Sequence, residues 1–367
     1  MSNKKIVKYN LDPIDAKGAR FNIIYGKRSN GKSYQVKHKK QVEKYLKTGT
    51  RFILMRRWKE EIRTELIEQY YADVDVTKLT GGKYNCISMY RKQLYLSFYD
   101  VETGKTNRHE KIGYVVALST EQNYAGASYL DVEDITFEEF MSRSEYLPGE
   151  PDKLMNFIST VDRGRNVVRT WLVGNTISKI CPYINEWGLR RLVSTQKQGT
   201  IETMELPTGT TDEQGKEITV KLAVEYCKDT GGTQYAIGNH KDMINKGAWQ
   251  SDPQPHLPKS YSVYKPLFRL IFYFQEFKFL GEYLIDTESR ETCWFIKPYD
   301  GKIDDKTIVV SDKIKISRYW IRNIYDSNFK NENVNRLLQN FRESIIFYAN
   351  DVTGTDFKQA IDFTIKK

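Results

Sequence analysis

The residues best placed to do chemistry lie in FNIIYGKRSNGKSYQV, where an apolar run from Phe21 to Tyr25 empties into Gly26 and then Gly31, Lys32 and Ser33. The spacing is G-x-x-x-x-G-K-S, that of a phosphate-binding loop. Its glycines let the backbone curl until its N–H groups point at a β-phosphate. Lys32 supplies a mobile cation for the β/γ oxygens, and the Ser33 hydroxyl is a ligand for Mg²⁺. Ser29 and Asn30 complete the turn, and Lys27 and Arg28 add charge to it; Arg28 either reaches a phosphate or faces water. The expected ligand is a nucleoside triphosphate, and the competing reading is a glycine turn in a basic loop.

Such a loop only binds; hydrolysis also needs Mg²⁺ held in place and a water aimed at the γ-phosphate. ITFEEF can supply both. Its apolar strand delivers Glu138 to its C-terminal end, where a carboxylate can hold the Mg²⁺ shell, and the adjacent Glu139 can polarise the water. The bland alternative is a solvated acidic turn. Downstream, STVDRGRNVVRTWLVGN sets Arg163 and Arg165 before a strand that ends at Asn175. Either arginine could act as a finger on a neighbouring subunit's γ-phosphate or be plain surface charge. The Asn175 amide could sense the same phosphate, though Gly-Asn is also a turn signal. In RRWKEE, the cations Arg56, Arg57 and Lys59 oppose the dipole of the helix they open. Either a bound polyanion or the neighbouring Glu60 and Glu61 must compensate.

These groups need strands and helices to hold them. After the loop, Tyr34, Val42 and Leu46 fall at helical spacing, and a strand follows from Arg51 to Met55. Trp58, Ile62, Leu66 and Tyr70 recur every four residues, as on one helix face. QLYLSFYDVETGKTNRHEKIGYVVAL reads as a β-hairpin turning near Thr103 and Gly104, inserted on the core sheet, with its return leading into an apolar strand from Tyr114 to Leu118. Strands Asp134–Phe140 and Val167–Asn175 complete an α/β pattern with parallel pairing. From Lys197 the chain turns polar, with TGTTDEQG as a flexible connection, ITVKLAVEYC as a strand and HKDMINKGAW as a short helix. SDPQPHLPKS, with three prolines, is the best domain boundary. The last third is strand-rich, then helical through Val334, Leu337, Leu338, Phe341, Ile345 and Tyr348.

The net charge of +10 points to a polyanionic partner without distinguishing DNA, RNA and membrane surface. No apolar run is long enough to span a bilayer, and the start lacks the apolar core of a signal peptide, so a cytosolic protein is expected. Cys86, Cys181, Cys227 and Cys293 form no C-x-x-C pair, which argues against a zinc site or a disulfide framework.

The GKRSNGKS loop, FILMRRWK, the FEEF pair, and STVDRGR followed by GN and PY, taken in this order, resemble the DNA-packaging (encapsidation) ATPases of phi-twenty-nine-type tailed phages. The likeness is strong from about Phe21 to Tyr183 and traceable beyond. It implies a P-loop ATPase of the ASCE class with strand order 5-1-4-3-2, over residues 1–197. A linker or lid over 198–258 and a ribonuclease H-like α+β domain over 259–367, without nuclease acids, would follow. It further implies a ring motor, pentameric, using ATP and Mg²⁺ to drive double-stranded DNA into a procapsid through the portal on a packaging RNA, in the host cytoplasm and not in the mature virion. Carried over by residue, Lys32 and Ser33 serve nucleotide and metal, Glu139 is the catalytic glutamate, Arg163 the finger in trans, and Lys59, beside Arg56 and Arg57, the DNA contact. Glu138 stands where the family has Asp. The alternatives are a large terminase with an active C-terminal nuclease, in which Asp286 would join Asp304, Asp305 or Asp312, and a non-catalytic nucleotide-dependent nucleic-acid-binding module.

Overall fold

The computed structural model describes residues 9–142, 145–229, 246–249, 251–274, 277–312, 319–321 and 339–365. The chain forms two compact units. One holds the residues up to Ile177 and a stretch resuming at Arg191; the other holds Ser178–Arg190 and the chain from Trp249 onward.

In the first unit the strands are β1 (Phe21–Gly26), β2 (Arg51–Arg56), β3 (Cys86–Tyr90), β4 (Gln93–Asp100), β5 (Lys105–Ala117), β6 (Val132–Glu138), β7 (Arg169–Asn175), β8 (Thr200–Thr211) and β9 (Glu217–Tyr226). Their order in the sheet is β3-β4-β5-β2-β6-β7-β1-β9-β8. From β5 to β9 every neighbouring pair is parallel, and antiparallel strands close both edges. β1 lies inside the parallel run and all six of its residues are buried, which is why its sequence, Asn22 apart, is apolar rather than alternating. Parallel pairing brings the C-terminal ends of β1, β2, β6 and β7 to one sheet edge, where the residues read as nucleotide and metal ligands lie. No helix among the described residues is long and apolar enough to cross a membrane.

Four readings change here. Residues 198–258, expected as a linker or lid, begin instead with a hairpin of the first sheet. β9 pairs with β1 from Phe21↔Leu222 to Tyr25↔Tyr226, and β8 pairs antiparallel with β9. β8 is an edge strand whose residues are mostly exposed, so it has no apolar face to mark it. Ser178–Arg190, expected within 1–197, belongs to the second unit because Ile180 packs into that unit's core. The helix after Arg56 covers Thr64–Tyr71, behind a short turn at Lys59–Glu61, and buries Ile67 and Tyr71 while Leu66 is exposed. Finally, Ile346–Tyr348 is a strand, so the helical spacing read through Tyr348 ends earlier. Val334, Leu337, Leu338 and most of HKDMINKGAW lie outside the described residues.

The second unit holds β10 (Tyr264–Phe274), β11 (Phe277–Asp286), β12 (Thr292–Pro298), β13 (Val309–Ser311), β14 (Trp320–Ile321) and β15 (Ile346–Tyr348), in the order β14-β13-β10-β11-β12-β15. β10, β11 and β12 form an antiparallel meander, and β13 and β14 continue parallel to β10. One face packs Phe272, Phe279 and Trp294 against Phe357 of the C-terminal helix Asp351–Ile365.

Candidate active site

β1 ends in a loop that turns on glycines. Gly26 has φ +156°, and a Cβ there would lie 3.0 Å from the Cys227 Cβ on the neighbouring strand. Gly31, at φ +95°, opens the helical run that starts at Lys32. Chain before β1 closes over this loop. The Tyr9 backbone N–H donates to Asn30 O (3.2 Å), and its hydroxyl donates to Glu225 Oε2 on β9 (2.7 Å).

Lys32 is buried, and its Nζ donates to Lys27 O (2.6 Å), Gly26 O (3.4 Å), Asn30 Oδ1 (3.2 Å) and Asn175 Oδ1 (3.3 Å). Burial pulls its pKa down. The loop and the Asn175 amide at the end of β7 thus meet at one ammonium. Ser33 Oγ donates to Glu138 Oε2 (2.9 Å), and the Tyr70 hydroxyl donates to Glu138 Oε1 (2.8 Å). Burial raises the pKa of Glu138, and the bonds from Tyr70 and Ser33 oppose that rise.

Glu139 sits at φ +56°, a costly backbone for a residue with a β-carbon. Buried Arg57 holds it there. The guanidinium donates to Glu139 O (3.1 Å) and Phe140 O (2.6 Å) and grips the Glu150 carboxylate with two nitrogens (2.8 and 3.0 Å). The Glu139 side chain remains exposed, and its Oε2 meets Arg56 Nη2 at 3.2 Å. A cleft of about 780 Å³ gathers Arg28, Ser29, Asn30, Gly31, Lys32, Ser33, Arg56, Glu138, Glu139 and Asn175. Nearly all of the residues read as nucleotide and metal ligands therefore share one space.

One assignment changes. Arg57, read as a DNA contact, is only 4% exposed and fully engaged in the turn that carries Glu139, so it is withdrawn from that group. Arg56 lines the cleft and pairs with Glu61 and Glu139, whereas Lys59 is exposed and has no partner among the described residues. Arg163 and Arg165 lie outside the cleft. Arg165 donates to Leu130 O, Val132 O, Val161 O and Asp162 O, which leaves it a structural clamp. Arg163 is exposed at φ +47°, and its Nη2 donates to Gly126 O and Ala127 O. Tyr70 was missed as a site residue; its period-four spacing signalled a core face, although the core position is Tyr71.

A profile of the podovirus DNA encapsidation protein (Gp16) family matches residues 3–236, well over half of the chain. The chain belongs to that family. Its relatives include the DNA packaging protein of Bacillus phage B103, 31% identical over 177 residues (46% of this chain and 48% of that protein). That of Bacillus phage phi29 is 28% identical over 187 residues (49% of each chain). The matched stretch spans about half the length of these curated relatives. Among solved structures, a chain of the bacteriophage Phi-29 viral genome packaging motor assembly superposes with a TM-score of 0.54 at 18% identity, covering 97% of this chain and 99% of that one. This encapsidation-family chain therefore shares its fold along nearly its whole length with that motor protein.

Proposed function

We propose that this encapsidation-family protein is an ATP-driven double-stranded DNA translocase that packages a phage genome into a preformed procapsid through the portal. The observation that carries this reading is the 2.9 Å contact between Ser33 Oγ and Glu138, which joins the phosphate loop to the acidic pair in one cleft. A hydroxyl beside a carboxylate is a hard-oxygen donor set suited to Mg²⁺ and its water shell. Arg28 Nε is a buried donor with no acceptor among the described residues, which suits a phosphate. Ser33 and Glu138 would hold the metal, and Mg²⁺, when bound, would supply neutralisation of the phosphate charge. Lys32 would hold those oxygens, Asn175 would report on the γ-phosphate through Lys32, and Glu139 would orient and deprotonate the attacking water. A DNA-stimulated ATPase assay tests the reading. Glu139→Gln should bind ATP as the wild type does and lose turnover, and undiminished hydrolysis would sink the assignment.

Several finer features fit the same proposal. The sheet order is compatible with a 5-1-4-3-2 core if β1, β2, β6, β7 and β9 are counted, with β5 extending the parallel run. The meander β10–β12 followed by parallel β13 and β14 is an arrangement suited to a ribonuclease H-like domain. In that domain Asp286 is committed to a turn, accepting from Glu288 N and Ser289 N and pairing with Lys259. Asp304 accepts from Lys306 N and the Thr307 hydroxyl. This favours a nuclease-dead role over an active terminase nuclease, and metal-dependent plasmid cutting lost in Asp286→Ala would reverse the choice.

Arg163 is the better finger because Arg165 is occupied. In a homo-oligomeric, pentameric ring, mixing Arg163→Ala with Lys32→Ala subunits should restore some ATPase activity. Lys59 is the remaining exposed cation of its turn, and Lys59→Ala should keep basal ATPase while losing DNA stimulation. Packaging RNA and the portal complete the partners of a motor working in the host cytoplasm.

A further inference from the structure

β5 falls out of step with β4 twice. Pairing shifts between Leu94 and Tyr95 and again between Leu96 and Ser97, so that Tyr95 faces Lys111 and Ser97 faces Arg108. An unbroken ladder from the Gln93↔Tyr114 rung would have placed Ile112 and Glu110 opposite them. Each bulge absorbs one residue of β5 and re-aims those that follow. The first bulge keeps Ile112 in the core with Leu94 and Leu96 and turns Lys111 to the opposite face, and the second returns Arg108 to that face beside Ser97. Directly opposed residues share a face.

The cations there lie over tyrosines rather than against carboxylates. Arg108 and Arg91 stand 4.9 and 5.2 Å from the Tyr90 ring centroid, Lys111 stands 4.8 Å from that of Tyr114, and Lys92 5.8 Å from that of Tyr124. None of the four forms an ion pair among the described residues. Tyr90 is 46% exposed.

The turn between β3 and β4 adds an independent observation. Its two residues are Arg91 and Lys92, at φ +47° and +60°. Two-residue turns of this hand strongly favour Asn-Gly, because a β-carbon at positive φ is crowded by the backbone. A turn selected for stability alone would not carry two long cationic side chains.

We infer that this face binds a nucleic-acid strand with unpaired bases. Arg91, Lys92, Arg108 and Lys111 meet its phosphates, and bases stack on Tyr90, Tyr95 and the guanidinium planes over Tyr90. A duplex keeps its bases within its own stack, and an acidic peptide has none, so either would leave the rings unused. None of these residues lines the nucleotide cleft, and the inference stands apart from the hydrolysis reading.

The test is fluorescence anisotropy of the full chain with labelled oligouridylate, oligothymidylate and a blunt duplex of equal length at fixed salt. The double variant Arg91→Asn/Lys92→Gly should melt at or above the wild-type temperature and keep basal ATPase, yet bind both single strands about tenfold more weakly. Tyr90→Ala should weaken single-strand binding on the order of tenfold and leave duplex binding unchanged. Unchanged oligonucleotide affinity in the Asn-Gly variant overturns the inference. So does an equal loss for duplex and single strands in Tyr90→Ala, or competition by polyglutamate as effective as by oligouridylate.

Discussion

Arg56 reaches Glu139 across the end of the sheet: Nη2 lies 3.2 Å from Oε2, while Nε faces Glu61 Oε2 at 3.5 Å. One guanidinium thus links the turn after β2 to the carboxylate proposed to handle water. Arg56→Ala is expected to lower kcat by about tenfold, through loss of positioning rather than of the base itself. KM for ATP should change little. Steady-state kinetics decide the matter: a large KM rise with kcat intact would mean that Arg56 binds nucleotide instead.

Arg57 and Glu150 form a pair that is 4% and 0% exposed. Removing one partner of a buried ion pair strands the other, at a cost of about 3–5 kcal/mol. Arg57→Ala should therefore unfold at much lower urea concentration than the wild type. Arg57→Met with Glu150→Leu should recover most of the loss. A small effect of the single substitution would contradict the clamp described for the Glu139 turn.

Tyr70→Phe deletes the hydroxyl that favours ionised Glu138, leaving burial to push the carboxyl's pKa higher still. If hydrolysis needs the carboxylate, the acid limb of the pH–rate profile must move upward, with little change above neutrality. An acid limb that stays in place would assign Tyr70 a packing role only.

Glu225, buried beside the loop, has its pKa raised to about 7, because burial outweighs the opposing bond from Tyr9 and the charge of Lys32. The folded protein holds this proton more tightly than the unfolded chain does. Stability linked to Glu225 is therefore full below the ordinary carboxylate range and is lost as pH rises toward about 7. Glu225→Gln cannot ionise, and should exceed the wild type at pH 8 by on the order of 2–3 kcal/mol while matching it near pH 4. Denaturation at the two pH values checks this, and parallel curves would refute it.

What the sequence made legible follows from where each side chain works. That the phosphate-type loop and Glu138 would meet could be read, because the proposed chemistry calls for fixed residue types at fixed spacing, and Ser33 does touch Glu138. Strand β1 could be read because burial on both faces leaves an apolar run. Arg57 looked like its neighbours Arg56 and Lys59, since composition cannot tell a buried clamp from a surface charge; the deciding partner, Glu150, is distant in sequence. β8 was invisible because an exposed edge strand needs no apolar pattern. Leu66 and Tyr70 misplaced the helix by one position, and this hid a tyrosine whose ring packs while its hydroxyl serves the site.

The clamp at Arg57 has a mechanical corollary. The residue stands at the end of β2, two positions before Lys59, and holds the carbonyls of both Glu139 and Phe140 while anchored on Glu150. The chain leading into the exposed turn at Lys59 and the turn presenting Glu139 are accordingly tied through one side chain. Strand end and acidic turn thus share a single buried mooring, Glu150, which Arg57 grips while it holds both carbonyls.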